Sequence, residues 1–123
     1  MVRIYEGRCH CGAVRFRFRS EEIAGGLRCN CSICIRRGAV MSPAYVPPSD
    51  IELLEGKDAL EVYRFGDLTM NHYFCRTCGI HPFGEIIRKP GEPRGGFLRF
   101  NLGCIDGIDP LALEIELVDG RAF

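Results

Sequence analysis

Seven of the eight cysteines in this chain fall into three short clusters, at residues 9–11, 29–34 and 75–78. Thiolates one or two residues apart are poorly placed to pair as disulfides within a cluster, but they suit a metal ion. The clusters supply two, three and two sulfurs. Four protein ligands are typical of a structural zinc site, whereas three ligands leave a coordination position for water or substrate, as in catalytic sites.

The two paired motifs together predict one closed zinc site. A Cys-x-Cys pair on a strand places both sulfurs on one face, so Cys9 and Cys11 are expected to reach one metal, with His10 pointing away. Cys75 and Cys78, which a glycine follows, are typical of a knuckle turn in which the sulfurs converge. We therefore predict a structural zinc site with four cysteine ligands. The competing interpretation, redox-active or merely buried thiols, fits the paired spacing less well.

The middle cluster predicts a second, open zinc site of catalytic type. Cys29, Cys31 and Cys34 supply three sulfurs from six residues, and no fourth ligand is nearby in the sequence. Candidates for the fourth position are water, a substrate atom, Cys104, His72 and His81. Apolar neighbours favour a buried structural thiol for Cys104, and a hydrogen-bonding core role is favoured for His81.

The charge of a three-thiolate site indicates which chemistry it could support. An open position on zinc can activate water, or it can hold an incoming thiol as thiolate. Three negative ligands weaken the Lewis acidity of the metal, which favours thiol chemistry over hydrolysis. Arg36 and Arg37 follow the cluster. They could offset its charge or bind substrate carboxylates, or they could be exposed cations that do neither.

The remaining sequence is typical of short β-strands. Phe16 and Phe18 alternate with arginines, which predicts a strand with one apolar and one solvated face. Other strand candidates, rich in aromatic and branched residues, are 61–65, 70–74, 97–102 and 111–117.

Few helices are expected. One short helix is predicted after Cys31 and another beginning near Ser49 and Asp50, and the glycine pair at 25–26 is predicted to be a turn. We therefore predict a single domain over residues 1–123, mainly β, built of small zinc-stapled antiparallel sheets with few short helices.

Composition narrows the class of partner. Sixteen basic residues balance sixteen acidic ones, and seven thiolates with two Zn²⁺ would bring the net charge to −3. Such a protein has no electrostatic basis for general nucleic-acid binding. The charged N-terminus lacks the apolar segment of a signal peptide, and no stretch has the length of a membrane helix. A reduced cytoplasm with metal-bound thiolates is the expected location.

The three cysteine motifs also resemble those of a known family. Gly7-Arg8-Cys9-His10-Cys11-Gly12, Cys29-Asn30-Cys31-Ser32-Ile33-Cys34 and Phe74-Cys75-Arg76-Thr77-Cys78-Gly79 are similar to the motifs of the glutathione-dependent formaldehyde-activating enzymes. Arg99, Asn101 and the Asp119-Gly120 pair extend the resemblance over nearly the whole chain.

The resemblance implies a mainly-β fold of the Mss4-like, or β-tent, type, two zinc ions and carbon–sulfur lyase chemistry. It assigns Cys9, Cys11, Cys75 and Cys78 to a structural zinc and Cys29, Cys31 and Cys34 to a catalytic zinc. The implied reaction joins glutathione, a small-molecule thiol, to formaldehyde, giving S-(hydroxymethyl)glutathione. The alternative hypothesis is a non-catalytic zinc-binding module for a protein or a nucleic acid.

Overall fold

A computed structural model describes residues 1–122 and shows a mainly-β chain, as predicted. Within these residues there are nine strands and one short α-helix. Their bounds are β1 Val2–Arg8, β2 Arg15–Glu21, β3 Gly25–Cys29, α1 Ser32–Arg37, β4 Ile51–Glu55, β5 Leu60–Tyr63, β6 Met70–Cys75, β7 Phe83–Ile86, β8 Leu98–Phe100 and β9 Glu114–Val118.

The strands form three small sheets. One has the order β1-β2-β4 and another the order β5-β6-β7-β8, and both are antiparallel. The third contains only β3 and β9, which run parallel. Because parallel strands end at the same edge of a sheet, the last residues of β3 and β9 come together, with Cys29 opposite Val118.

A stack of aromatic rings fills the space between the sheets. Phe16 and Phe18 of β2 are almost wholly buried, as the alternation predicts. The Phe18 ring stacks on that of Phe100 with centroids 3.9 Å apart, and Phe83 meets Phe16 edge to face at 5.4 Å. Stacked and edge-to-face pairs of this kind add to the stabilisation from apolar burial.

The outer face of β2 is solvated and charge-balanced. Arg17 lies 3.2 Å from the Glu6 carboxylate and 3.8 Å from that of Glu52. The Arg15 side chain donates to the Gly12 carbonyl oxygen. Carboxylates from both neighbouring strands therefore offset the charge of Arg17, at the centre of the basic stripe.

Two local predictions were wrong. The segment after Asp50 is strand β4 and not a helix, because Ile51 and Leu53 pair with β2 and a single 3-10 turn, Pro48–Asp50, redirects the chain beforehand. The glycine pair at 25–26 opens strand β3 and is not a turn. Gly26 is needed there for close packing, since a Cβ atom would overlap the Val40 side chain.

The helix predicted after Cys31 is present as α1 and ends at Gly38, whose φ of +69° suits glycine. No helix among residues 1–122 is long and apolar enough to cross a membrane.

Candidate metal centres and adjoining pocket

The four sulfurs of the paired motifs meet at one point. The Cys11 Sγ lies 3.7 Å from the Cys9 Sγ and 3.7 Å from the Cys75 Sγ, and the Cys78 sulfur lies within 4.8 Å of all three. A disulfide would need about 2.05 Å. Sulfurs around a tetrahedral zinc, with bonds of about 2.3 Å, are about 3.8 Å apart. The spacing fits a thiolate-bound metal ion such as zinc.

Two turns, rather than strands, position these sulfurs. The prediction that Cys9 and Cys11 share a strand face was wrong, because β1 ends at Arg8. The chain then turns, and the Val14 N–H donates to the Cys9 sulfur at 3.3 Å. At the other pair, β6 ends at Cys75 and the expected knuckle follows, closed by a 2.8 Å hydrogen bond from the Gly79 N–H to the Cys75 carbonyl oxygen.

The pKa values of Cys78 and Cys11 differ widely, and a bound metal ion would favour the thiolate form of both. Burial opposes ionisation of Cys78, but the N–H groups of Cys11 and Ile80 outweigh it and lower its pKa to about 6. The Ala13 N–H favours the Cys11 thiolate, yet burial and the neighbouring thiols raise its pKa to about 11. Several thiolates this close repel one another unless a metal ion shares their charge.

The three sulfurs of the middle motif also converge. Cys29 ends β3, Cys31 directly precedes α1, and Cys34 lies within that helix, with all three sulfurs inside 4.8 Å of one another. Burial and the Cys31 thiol raise the pKa of Cys34 to about 12. Among residues 1–122, no further Cys, His, Asp or Glu joins this group. The residues fit a thiophilic metal ion with three protein ligands.

The three protein candidates for a fourth ligand lie elsewhere. Cys104 is a buried core thiol outside both clusters, and burial raises its pKa to about 11. His72 and His81 are neighbours, with ring centroids 6.3 Å apart, and both line a pocket beside the cluster.

Hydrogen bonds from the turn after β9 hold the backbone and side chain of Asn30, within the middle cluster, in position. The Asn30 side chain, between two of the cysteines, donates to the Asp119 carboxylate at 3.0 Å and accepts from the Arg121 N–H at 3.1 Å. The Arg121 guanidinium donates a hydrogen bond of 2.8 Å to the Asn30 carbonyl oxygen. This contact joins the Asp119-Gly120 pair to the middle cysteine motif, a relation that spacing within the sequence does not indicate.

Gly120 provides a direct test of this arrangement. A Cβ at residue 120 would overlap the Cys29 sulfur and approach the Cys31 Cβ to 2.9 Å. Gly120→Ala is therefore expected to displace the middle cluster and to weaken its metal affinity by about 10-fold or more, while the melting temperature changes little. Titration with a chelator of known affinity measures the first effect and thermal unfolding the second. Gly107→Ala is the control for metal affinity, since a Cβ there meets no atom within 4 Å; its φ of +82° is strained for alanine, so a lower melting temperature is expected without loss of affinity.

A pocket of about 550 Å³ opens beside the middle cluster. Its wall includes all three cysteines of that cluster, and none of the four-cysteine cluster. Its other polar or aromatic lining residues are Arg37, Tyr45, Phe65, Thr69, His72, His81 and Arg99. No Asp or Glu of the described residues lines it. The volume is in the range that proteins use for small-molecule sites.

Hydrogen bonds fix the tautomers of the two pocket histidines. The Tyr73 carbonyl can only accept, so the His81 Nδ1, 2.6 Å away, donates and leaves a lone pair on Nε2. The Arg37 guanidinium donates to the His72 Nδ1 at 3.0 Å, which leaves the proton of His72 on Nε2. Burial, aided by Arg37, lowers the pKa of His72 to about 4 and of His81 to about 3. Both rings are neutral at pH 7.

The two arginines after the cluster have different environments. Arg37 is partly buried and lines the pocket, whereas Arg36 is exposed and donates to the Ser32 carbonyl oxygen. Sequence reasoning left the two equivalent. It also gave no role to Tyr45, which lies in a proline-rich stretch with no periodic pattern.

Comparison with known proteins agrees with the cysteine motifs. The model of the family described as glutathione-dependent formaldehyde-activating enzyme matches residues 4–117. A Halomonas elongata protein provisionally given that name is 31% identical over an alignment of 103 positions; the match covers 68% of this chain and 66% of that protein. A Penicillium rubens protein of the same provisional name is 32% identical over an alignment of 82 positions, and the match covers 64% of this chain and 42% of that protein.

The chain thus spans about two thirds of the length of the first relative and under half of the second. A crystal structure of a Rhodobacter sphaeroides protein shares the fold with a TM-score of 0.73 and 34% identity, covering 89% of this chain and 97% of that one. The family match extends over most of the sequence and includes all seven clustered cysteines. This chain belongs to the glutathione-dependent formaldehyde-activating enzyme family.

Proposed function

We propose that this protein is a zinc-dependent carbon–sulfur lyase acting on the adduct of a small thiol and an aldehyde, with S-(hydroxymethyl)glutathione as the first candidate. One observation carries the proposal: all three cysteines of the middle cluster line the pocket of about 550 Å³, whereas Cys9 alone of the four-cysteine cluster lines a pocket, a separate one of about 450 Å³. A closed site with four protein ligands, beside a site with three ligands that faces a pocket, is what a division between structural and catalytic zinc requires.

The roles of the two clusters follow from the number of their ligands and from the pocket beside one of them; burial alone does not separate them, since Cys11 is exposed. Cys9 and Cys75 are buried in the core, so a zinc held with Cys11 and Cys78 would join distant parts of the chain. Cys29, Cys31 and Cys34 are each partly exposed and would hold the catalytic zinc. When bound there, zinc would supply an incoming sulfur in its nucleophilic thiolate form at neutral pH.

The reaction forms one bond between the thiol sulfur and the aldehyde carbon. The carbonyl π bond breaks, and the proton lost by the thiol ends on the new hydroxyl oxygen. In the lyase direction the carbon–sulfur bond breaks and the same proton returns to sulfur. The pocket must therefore hold a hydroxyl group close to the cluster, and it must provide a partner for the hydrogen of that hydroxyl.

His81 is suited to that task. Its Nε2 lone pair is buried and has no partner within residues 1–122. A pKa of about 3 makes the ring a poor proton store but leaves it a hydrogen-bond acceptor at neutral pH. The Asn101 side chain donates to the His81 carbonyl oxygen at 2.8 Å and helps to fix the segment. We assign to His81 the orientation of the adduct hydroxyl.

The proposal is tested by metal content and by exchange kinetics on the same sample. Freshly purified protein is expected to hold two zinc ions per chain and to retain one after dialysis against a mild chelator, without loss of fold. Two-dimensional ¹³C exchange spectroscopy then measures interconversion of formaldehyde hydrate and S-(hydroxymethyl)glutathione. Catalytic amounts of the two-zinc protein should accelerate exchange above the spontaneous rate, and the one-zinc protein should not.

Two outcomes would contradict the proposal. A two-zinc protein that leaves the exchange rate unchanged, for glutathione and for simpler thiols, would exclude lyase activity of this kind. One zinc per chain throughout would mean that the middle cluster is not a metal site, and it would favour the non-catalytic zinc module.

A further inference from the structure

Two guanidinium groups without carboxylate partners face the same pocket. Arg37 lies on helix α1 and Arg99 on strand β8, and both line the wall that includes the middle cluster. Neither forms an ion pair within residues 1–122, although five other ion pairs are present there. Arg37 lies close enough to Cys34 and Cys31 for the charge of those thiols to act on it, whereas Arg99 has no carboxylate partner among the described residues. Cations are rarely left partly buried without a compensating charge. The pocket is thus positively charged apart from the cluster itself.

Arg99 packs against an aromatic ring, but one of its hydrogen-bond donors has no acceptor. Its guanidinium carbon lies 4.1 Å from the centroid of the Tyr45 ring, a cation–π contact that fixes the plane of the group. Its Nε atom is buried and has no acceptor within residues 1–122. A buried donor that lacks an acceptor is costly, so this geometry fits a site whose acceptor arrives with a ligand.

Arg37 supplies the second cation of the pocket. Its Nη2 donates to His72, which holds the side chain toward the pocket and away from solvent. The group carries five N–H bonds, so one imidazole does not satisfy all of its hydrogen-bond donors.

We propose that Arg99, assisted by Arg37, binds a carboxylate of the thiol substrate, so that the pocket selects anionic thiols over neutral ones. The inference rests on the proposed function, because it takes the three-cysteine cluster as the sulfur-binding end of the pocket. The planar fork of arginine matches the two oxygens of a carboxylate, and glutathione carries two such groups. Arg99 is accordingly a specificity-determining residue for substrate binding.

Calorimetric titration of the zinc-loaded protein tests this with four ligands. Glutathione and 3-mercaptopropionate carry thiol and carboxylate, 2-mercaptoethanol carries only the thiol, and S-methylglutathione keeps the carboxylates but blocks the sulfur. Arg99→Gln is expected to raise the Kd of the three carboxylate ligands about 10-fold or more and to leave that of 2-mercaptoethanol within about twofold. Arg37→Gln should act in the same direction, more weakly.

Two further variants serve as controls for the loss of charge and for folding. Arg36→Gln makes the same change of charge on the same helix, outside the pocket, and should alter none of the four dissociation constants. Arg99→Lys keeps the charge but loses the planar fork, so it should weaken carboxylate binding by less than the glutamine does. It also preserves the test if Arg99→Gln does not fold.

The possible failures point to different conclusions. Equal weakening of 2-mercaptoethanol and glutathione by Arg99→Gln would overturn the carboxylate role, as would wild-type affinity for all four ligands in Arg99→Gln and Arg99→Lys. If wild-type protein binds S-methylglutathione through Arg99 but binds no thiol more tightly than its blocked analogue, the carboxylate site stands and the proposed thiol chemistry fails.

Discussion

Cys31→Ser is expected to remove the zinc of the middle cluster and nearly all lyase activity while leaving the protein folded. Loss of a direct ligand should cost more than the roughly 10–100-fold typical of groups that only orient a ligand, so we expect a fall of at least about 100-fold. Folding should survive because Cys31 is partly exposed and directly precedes α1, a position where serine is favoured. Metal content, exchange rate and circular dichroism measure the three effects.

The matched control for this variant is Cys104→Ser. It makes the same chemical change at a buried thiol that belongs to neither cluster. The buried hydroxyl should lower the melting temperature, but the folded protein should retain both zinc ions and full activity. If Cys31→Ser keeps its activity, the middle cluster is not the reaction centre, whatever its metal content.

Cys78→Ser is expected to prevent stable folding. Structural zinc sites contribute an apparent binding free energy of about 10–16 kcal/mol, which is comparable to the whole stability of a domain, about 5–15 kcal/mol. Cys78 is a better test than Cys75, since Cys75 is fully buried and its replacement would also disturb core packing. The expected signs are loss of near-ultraviolet circular dichroism and of a cooperative melting transition.

The comparison of the two serine variants is itself informative. The same atom is replaced in each, so a difference in outcome reports the role of the cluster and not the chemistry of the substitution. Equal loss of stability in both variants would contradict the assignment of separate structural and catalytic roles.

Cysteine spacing was a strong guide to the site because ligand geometry is largely local. The gap between Cys31 and Cys34 spans one turn of helix, and the gap between Cys75 and Cys78 spans one knuckle, so each pair converges whatever the rest of the chain does. The grouping of the two distant cysteine pairs into one site also followed from the sequence, since a closed tetrahedral site needs four ligands and each pair supplies two. The local conformation at Cys9 did not follow, because a turn and a strand can both bring sulfurs at i and i+2 together.

The parts of the pocket that depend on tertiary pairing were beyond sequence reasoning. Arg99 comes to the wall of the pocket through the pairing of β8 with β7, and Tyr45 meets it from a connecting segment. Strand β4 was mistaken for a helix because its apolar residues are as compatible with one as with the other. This segment is a strand because it pairs with β2, and a pairing between distant segments leaves no local pattern in the sequence.

The parallel pairing of β3 with β9 has a consequence for how the protein is made. The ribosome releases Cys29, Cys31 and Cys34 early, but their support at Asn30 comes from residues 119–121, more than eighty residues later. At about 5–20 residues per second, that interval is on the order of ten seconds. During it the three thiols are without their final neighbours and are open to oxidation or to a competing metal. The order of synthesis thus favours late loading of this cluster, after the closing strand has arrived.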